Sequence, residues 1–249
     1  MIKEPYLQII QIGIMSATNI TIAVDGFAAC GKSTLAKSLA KTLHYIYIDS
    51  GAMYRAVTLY FLEQGIAIDE KERITTALAN INIEFKNIAG QNRTFLNGKD
   101  VEEQIREMAV SNFVSPVSTI SQVRRFLVAC QQKMGAAKGI VMDGRDIGTV
   151  VFPDAELKLF MTASIAVRTE RRLLELQNKG ILDYNYAQIQ QNLVERDRID
   201  STRADSPLRQ AEDAIVIDNS DLLPSEQLSL ALELAMTAIN QKKEKLQEM

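Results

Sequence analysis

The sequence predicts a three-layer α/β fold, with five parallel strands between helices and a small antiparallel insertion. Three observations carry this. Short apolar runs alternate with helical patterns along most of the chain. The first run leads into Gly26-Phe27-Ala28-Ala29-Cys30-Gly31-Lys32-Ser33-Thr34, which has the spacing of a phosphate-binding loop. One stretch, residues 63–103, breaks the alternation and carries a period-two pattern instead.

Ile20 to Val24 is β-branched and apolar and reads as a buried strand. Leu35, Ala36, Leu39, Ala40 and Leu43 recur at helical spacing after the loop. Gly26 and Gly31 let the backbone turn and come close to a phosphate. The loop's N–H groups and the helix N-terminus supply partial positive charge to a polyphosphate. Lys32 is placed to reach the outer phosphates, and the Ser33 hydroxyl to sit on Mg2+.

Tyr45 to Asp49 predicts the second strand, with Asp49 or Ser50 capping the next helix. Ser50 then reads either as a cap or as a site residue. Arg55, taken alone, reads as a solvated helix charge. In residues 63–103, Ile81 to Phe85 alternates, Asn87 to Asn92 holds turn residues, and Thr94-Phe95-Leu96 precedes Asn97-Gly98. Ile105 to Met134 returns to helix, with a break expected near Ser115-Pro116.

Gly139 to Asp143 predicts the third parallel strand, followed by Gly144-Arg145-Asp146-Ile147-Gly148. Asp143 can hold Mg2+ through water, or cap a turn. Glu156 to Met161 is the fourth strand, and Ser164 caps a helix bearing Arg168, Arg171 and Arg172 on one face. No acids match them on that side, which points to a bound polyanion. Arg196, Asp200 and Arg203 share a face of the next helix. Ala214 to Asp218 is the fifth strand, and a helix from Ser225 to about Lys245 closes the fold.

The 249 residues carry 28 Lys plus Arg against 31 Asp plus Glu, a net charge of −3. That balance makes no electrostatic case for a nucleic-acid or anionic-membrane partner. Two cysteines, Cys30 and Cys130, form no disulfide framework or zinc pattern. Met1 to Met15 is too short and interrupted for a membrane span and lacks a small-residue cleavage pattern. A soluble intracellular protein is expected, with residues 1–18 as an extension and Met15 as a possible second start. Cys30 reads as a small filler, or as a thiol of lowered pKa that bound ATP would shield.

The loop, Asp49-Ser50-Gly51-Ala52-Met53-Tyr54-Arg55, Asp143-Gly144-Arg145-Asp146-Ile147-Gly148-Thr149-Val150-Val151-Phe152-Pro153-Asp154 and Arg196-x3-Asp200-x2-Arg203 together resemble the bacterial cytidylate kinases. These are P-loop nucleoside monophosphate kinases. The resemblance covers roughly residues 20–240 and implies transfer of the γ-phosphoryl of ATP to CMP or dCMP with Mg2+. It implies one kinase domain over residues 19–249, with residues 63–103 as its monophosphate-binding insertion. A helical lid would span residues 164–205, in a cytoplasmic monomer.

By that resemblance Gly26 to Thr34 bind ATP, and Ser50, Arg55, Arg145, Arg196 and Arg203 surround the CMP phosphate and ribose. Ser115, Arg124 and Asp146 face cytosine, and Asp200 holds the ribose hydroxyls. Lys32, Arg145, Arg168 and Arg172 are the implied catalytic groups, with Arg168 and Arg172 on the arm closing over ATP. One departure is visible: Ala29 and Cys30 stand in a loop that usually carries an additional glycine.

The chemistry is consistent with this. A phosphate nucleophile is already anionic near pH 7, with a second pKa of about 6, so no general base is needed. The single histidine, His44, sits at a helix end and reads as structural. Two alternatives stay open: a kinase of another small acceptor such as UMP or dTMP, and a nucleotide-binding regulator with little turnover.

Overall fold

A computed structural model describes residues 17–248. Its elements are β1 (Thr21–Gly26), α1 (Lys32–Leu43), β2 (Ile46–Asp49), α2 (Ser50–Glu63), α3 (Lys71–Ala79), β3 (Ile83–Ile88), β4 (Gln91–Leu96) and β5 (Lys99–Asp100). There follow α4 (Met108–Val117), α5 (Ser121–Gly135), β6 (Ile140–Gly144), β7 (Leu157–Thr162), α6 (Ile165–Asn178), α7 (Tyr186–Thr202), β8 (Ile215–Asp218) and α8 (Pro224–Gln247). The extension expected at the N-terminus, and the second start at Met15, lie outside the described residues apart from residues 17–18.

The five-stranded sheet has the order β2-β6-β1-β7-β8, with every neighbouring pair parallel. β1, at the centre, is buried along its whole length, as a parallel strand covered on both faces must be. Side chains alternate across it. Ile22 and Val24 join the core beneath α1 and α8, with Leu39, Leu159 and Ala235. Ala23 faces the other core, with Met53, Phe61, Leu127 and Met142. A third, smaller cluster, Ala28, Leu176, Ile189 and Leu193, holds α6 and α7 beside the loop after β1.

β3, β4 and β5 form the expected separate antiparallel sheet, with a correction at its first turn. The strands run through the turn-rich letters, Asn87 pairing with Asn92 and Ile88 with Gln91. Only Ala89 and Gly90 remain as the turn, at φ 51° and 82°. A two-residue hairpin turn with both φ positive matches the twist of its strands.

The helix break near Ser115-Pro116 is also corrected. α4 continues through Pro116 and stops after Val117. Proline forfeits the bond to the carbonyl four residues back, which is that of Asn112, an exposed residue. Water can take that carbonyl, so the proline is tolerated in the last turn.

Candidate active site

All five parallel strands end at the same edge, where ligands bind in open α/β sheets. The loop from Gly26 to Gly31 leaves β1 there. Gly26 sits at φ 144°, and a Cβ on it would lie 2.0 Å from the Met161 carbonyl oxygen. Only glycine lets the chain turn this close to β7. The Ala28 N–H donates to Asp197 Oδ1 at 3.3 Å, and the Cys30 carbonyl accepts from Asn219 Nδ2 at 2.7 Å. Lys32 Nζ donates to the Phe27 carbonyl at 2.5 Å. Burial, then Arg145, pulls the Lys32 ammonium below its ordinary value. Ala29 holds φ 58°, a left-handed conformation that costs a residue with a Cβ roughly 1–2 kcal/mol. Cys30 is fully buried, its thiol donating to the Phe27 carbonyl at 3.0 Å. Burial of this kind is what a small filler needs, and it leaves the thiol no open path to solvent.

At the end of β6, Asp143 accepts from Ser33 Oγ at 2.7 Å and from the Tyr47 hydroxyl at 2.8 Å. Burial, then Asp49, pushes the Asp143 carboxyl above its usual range. Asp49, not Ser50, caps α2, accepting from the Ala52 N–H at 2.8 Å. Ser50 Oγ instead donates to the Asp143 carbonyl at 2.6 Å. Arg55 is no solvated charge. It is half-buried and pairs with Asp49 at 3.2 Å.

Beyond β6 the charged groups form one chain. Arg124 donates to Asp146 at 2.5 Å, Asp146 lies 3.7 Å from Arg203, Arg203 lies 3.5 Å from Asp200, and Asp200 accepts from Arg145 Nε at 2.8 Å. Burial pushes the Asp200 carboxyl up, but Arg145 and Arg203 outweigh it and hold it below its usual value. Arg196 makes no ion pair among the described residues. Burial, then Arg145, lowers its guanidinium to about 10. Ser115 is buried in α4. Its carbonyl accepts from Ser118 Oγ at 2.8 Å, and the Ser118 carbonyl accepts from Arg124 at 3.2 Å.

Arg55 Nε, Arg124 Nε, Arg196 Nε, Arg203 Nη2 and the Tyr54 hydroxyl are all buried without a hydrogen-bond partner among the described residues. Buried donors of this kind are rarely left unpaired in native proteins, so water or a ligand meets them. Here they surround one charge chain, and four of them belong to guanidinium groups.

The cytidylate kinase family model matches residues 22–237. The chain belongs to the cytidylate kinase family. It is 55% identical over 226 residues to a cytidylate kinase of Phocaeicola vulgatus, covering 89% of this chain and 98% of that one. It is 56% identical over 225 residues to one from Parabacteroides distasonis, covering 88% and 98%. A solved gluconokinase from Sinorhizobium meliloti 1021 is 13% identical, with a TM-score of 0.44 over 92% of this chain and 96% of that one. That likeness bears no weight in reading the site.

In this family member the three arginines of α6 are not left without partners, as their spacing suggested. Ser164 caps the helix as expected, accepting from the Val167 N–H at 3.3 Å. Arg168 pairs with Asp197 of α7 at 2.5 Å and lies over the Phe27 ring. Arg171 donates to the Asn219 side chain at 2.9 Å and its carbonyl at 2.8 Å. Arg172 pairs with Glu175 at 2.7 Å. Asp197 and Asn219 come from other elements, which helical spacing on one segment cannot show. Glu175, however, stands three residues on in α6 itself and corrects the expectation that no acid matches on that side. Thr34, at the end of the loop, is exposed. A cavity of about 390 Å³ opens between α4, α6 and α7, lined by Ser111, Asn112, Arg172, Gln188 and Arg196 among others.

Two residues matter here that sequence reading passed over. Asp25, the buried carboxylate before Gly26, accepts from the N–H groups of Ile147 and Gly148 at 2.8 and 2.7 Å. It thereby pins the turn that carries Arg145 and Asp146. Burial, outweighing both N–H bonds, raises its carboxyl to about 6. Asn219, fully buried after β8, links the Cys30 carbonyl to Arg171 of α6. A buried strand ending in an acid was visible in the sequence for Asp25. Nothing local marks Asn219.

Proposed function

We infer that this protein transfers the γ-phosphoryl group of ATP to CMP or dCMP. The observation that carries the reading is the group of buried, unpartnered guanidinium nitrogens on Arg55, Arg124, Arg196 and Arg203, beside the phosphate loop of a cytidylate kinase family member. A nucleoside monophosphate dianion would satisfy donors of this kind, because guanidinium forks bind phosphate oxygens and stay charged.

The donor phosphates lie along Gly26 to Thr34, whose glycines leave room for them. Lys32 then moves from the Phe27 carbonyl to the outer phosphates. Arg145, Arg168 and Arg172 offset charge on the transferred group, as arginines do in phosphoryl transfer. Arg55, Arg145, Arg196 and Arg203 orient the acceptor phosphate and ribose, and Ser50 shapes that side. Asp200 holds the ribose hydroxyls. Ser115, Arg124 and Asp146 meet cytosine. A carboxylate accepts from the cytosine amino group, whereas uracil presents an oxygen there. No side chain needs to remove a proton, since the attacking phosphate oxygen is already ionised.

Ser33 and Asp143 suit Mg2+. One hydroxyl and one carboxylate lie 2.7 Å apart, and Mg2+ keeps several waters and takes phosphate oxygens for the rest. Ser33 would bind it directly and Asp143 through water. An ion held there would supply positive charge against that of the phosphates.

Residues 63–103 serve as the monophosphate-binding insertion within a kinase domain over 19–249, and 164–205 as the lid. From the lid, Leu176, Ile189 and Leu193 join Ala28 of the phosphate loop in a small buried cluster, which gives it little packing to hold one position and suits a segment that closes to exclude water. No helix among the described residues is long and apolar enough to cross a membrane. A cytoplasmic location follows from the need for ATP. A monomer suffices because one chain supplies every group named.

The test is an acceptor screen with ATP, Mg2+ and CMP, dCMP, UMP and dTMP. CMP and dCMP should show the highest kcat/KM. Preference for UMP or dTMP would move the reading to another acceptor. Nucleotide binding without turnover would make the protein a regulator.

A further inference from the structure

Tyr54 stands on α2 directly before Arg55, and nothing above gives it a task. Its ring lies beneath the guanidinium of Arg124, 5.5 Å from it. The side chain is buried and its hydroxyl meets no partner among the described residues. The charged groups facing that hydroxyl are Asp146, Arg124, Arg203 and Asp200. Arg124 and Asp146 are already bonded to each other, and Asp200 is bonded to Arg145. Burial, then Asp146, pushes the phenol well above its ordinary range, so at neutral pH it remains a proton donor.

A buried hydroxyl that bonds to nothing costs free energy that a phenylalanine ring would avoid. Packing alone therefore does not account for a tyrosine here. A bond formed when the site fills would recover that cost. Phosphate charge is served by the arginines. The neutral phenol, set against the Arg124–Asp146 pair, suits an uncharged acceptor atom.

We propose that the Tyr54 hydroxyl donates a hydrogen bond to the pyrimidine ring of the acceptor nucleotide and so helps set its affinity. The inference rests on the acceptor reading above. The pyrimidine offers a carbonyl oxygen and, in cytosine, an unprotonated ring nitrogen, either of which accepts from a phenol.

The test compares the protein with Tyr54→Phe, which keeps the ring and its contact with Arg124. CMP affinity is measured by calorimetry without ATP, the KM for ATP at saturating CMP, and the thermal midpoint of the unliganded protein. CMP should bind roughly three- to tenfold more weakly, the worth of one hydrogen bond. The KM for ATP should stay within twofold, and the midpoint should hold or rise, because an unpaired buried group is gone. CMP affinity within twofold of the parent overturns the proposal. So does weaker binding with a lowered midpoint, which would make Tyr54 a packing residue. Failure of the parent protein to bind CMP would instead sink the acceptor reading itself, before the variant is compared.

Discussion

Arg124 and Asp146 meet across 2.5 Å where neither side chain is more than 6% exposed. Burying two charges is tolerable only when each satisfies the other, and removing one leaves the other unpaired at a cost of about 3–5 kcal/mol. The pair thus fixes the Asp146 carboxylate in a single orientation. Asp146→Ala should destabilise the unliganded protein by that order, read by denaturant unfolding. Asp146→Asn, which presents a donor as well as an acceptor, should lower the CMP-over-UMP ratio of kcat/KM by about tenfold or more. An unchanged ratio would show that Asp146 does not read the base.

Lys32→Ala should lower turnover by at least about 10²–10³-fold, the scale for losing one preorganised charge donor at a reacting group. The fold should survive. Lys32 is a buried cation whose ammonium is depressed first by burial and then by Arg145, so its loss relieves desolvation and repulsion. Near-normal turnover in a folded variant would remove Lys32 from the mechanism.

Ala29→Gly should stabilise the protein by up to about 1 kcal/mol, because φ 58° is strained for alanine and free for glycine. The gain is partly offset by glycine's larger unfolded-state entropy. Chemical denaturation measures it. A clear loss of stability would mean the methyl group packs better than its backbone strain costs.

Glu156 ties three parts of the fold together. It accepts from the Thr21 N–H at 2.9 Å, from Lys242 at 2.9 Å and from Lys138. Burial pushes its carboxyl up, but Lys138, the Thr21 N–H and Lys242 outweigh this and bring it to about 2, against 4.5 ordinarily. A depressed folded pKa means stability that is present above about pH 4.5 and lost as pH falls towards 2. Glu156→Gln should therefore lose part of the stability at pH 7 and show a shallower acid decline between those values. An unchanged acid slope would show that the three-way contact is not what holds Glu156 ionised.

Local pattern determined the five strands, the phosphate loop and the order in which helices alternate with them. Their chemistry is contiguous: Gly26, Gly31, Lys32 and Ser33 act through spacing along one segment. It did not place the hairpin turn at Ala89-Gly90 or carry α4 through Pro116, since pairing and solvent access decide those. Motif resemblance named Arg124, Asp146, Arg145, Asp200 and Arg203, but only the tertiary structure joined them into one chain of charges. Those residues come from α5, the loop after β6, and the end of α7, and bonds between segments leave no periodic trace in any one of them. The same reason hid Asp197 as the partner of Arg168, Asn219 as the anchor of Cys30, and Asp25 as the clamp on the turn at Ile147.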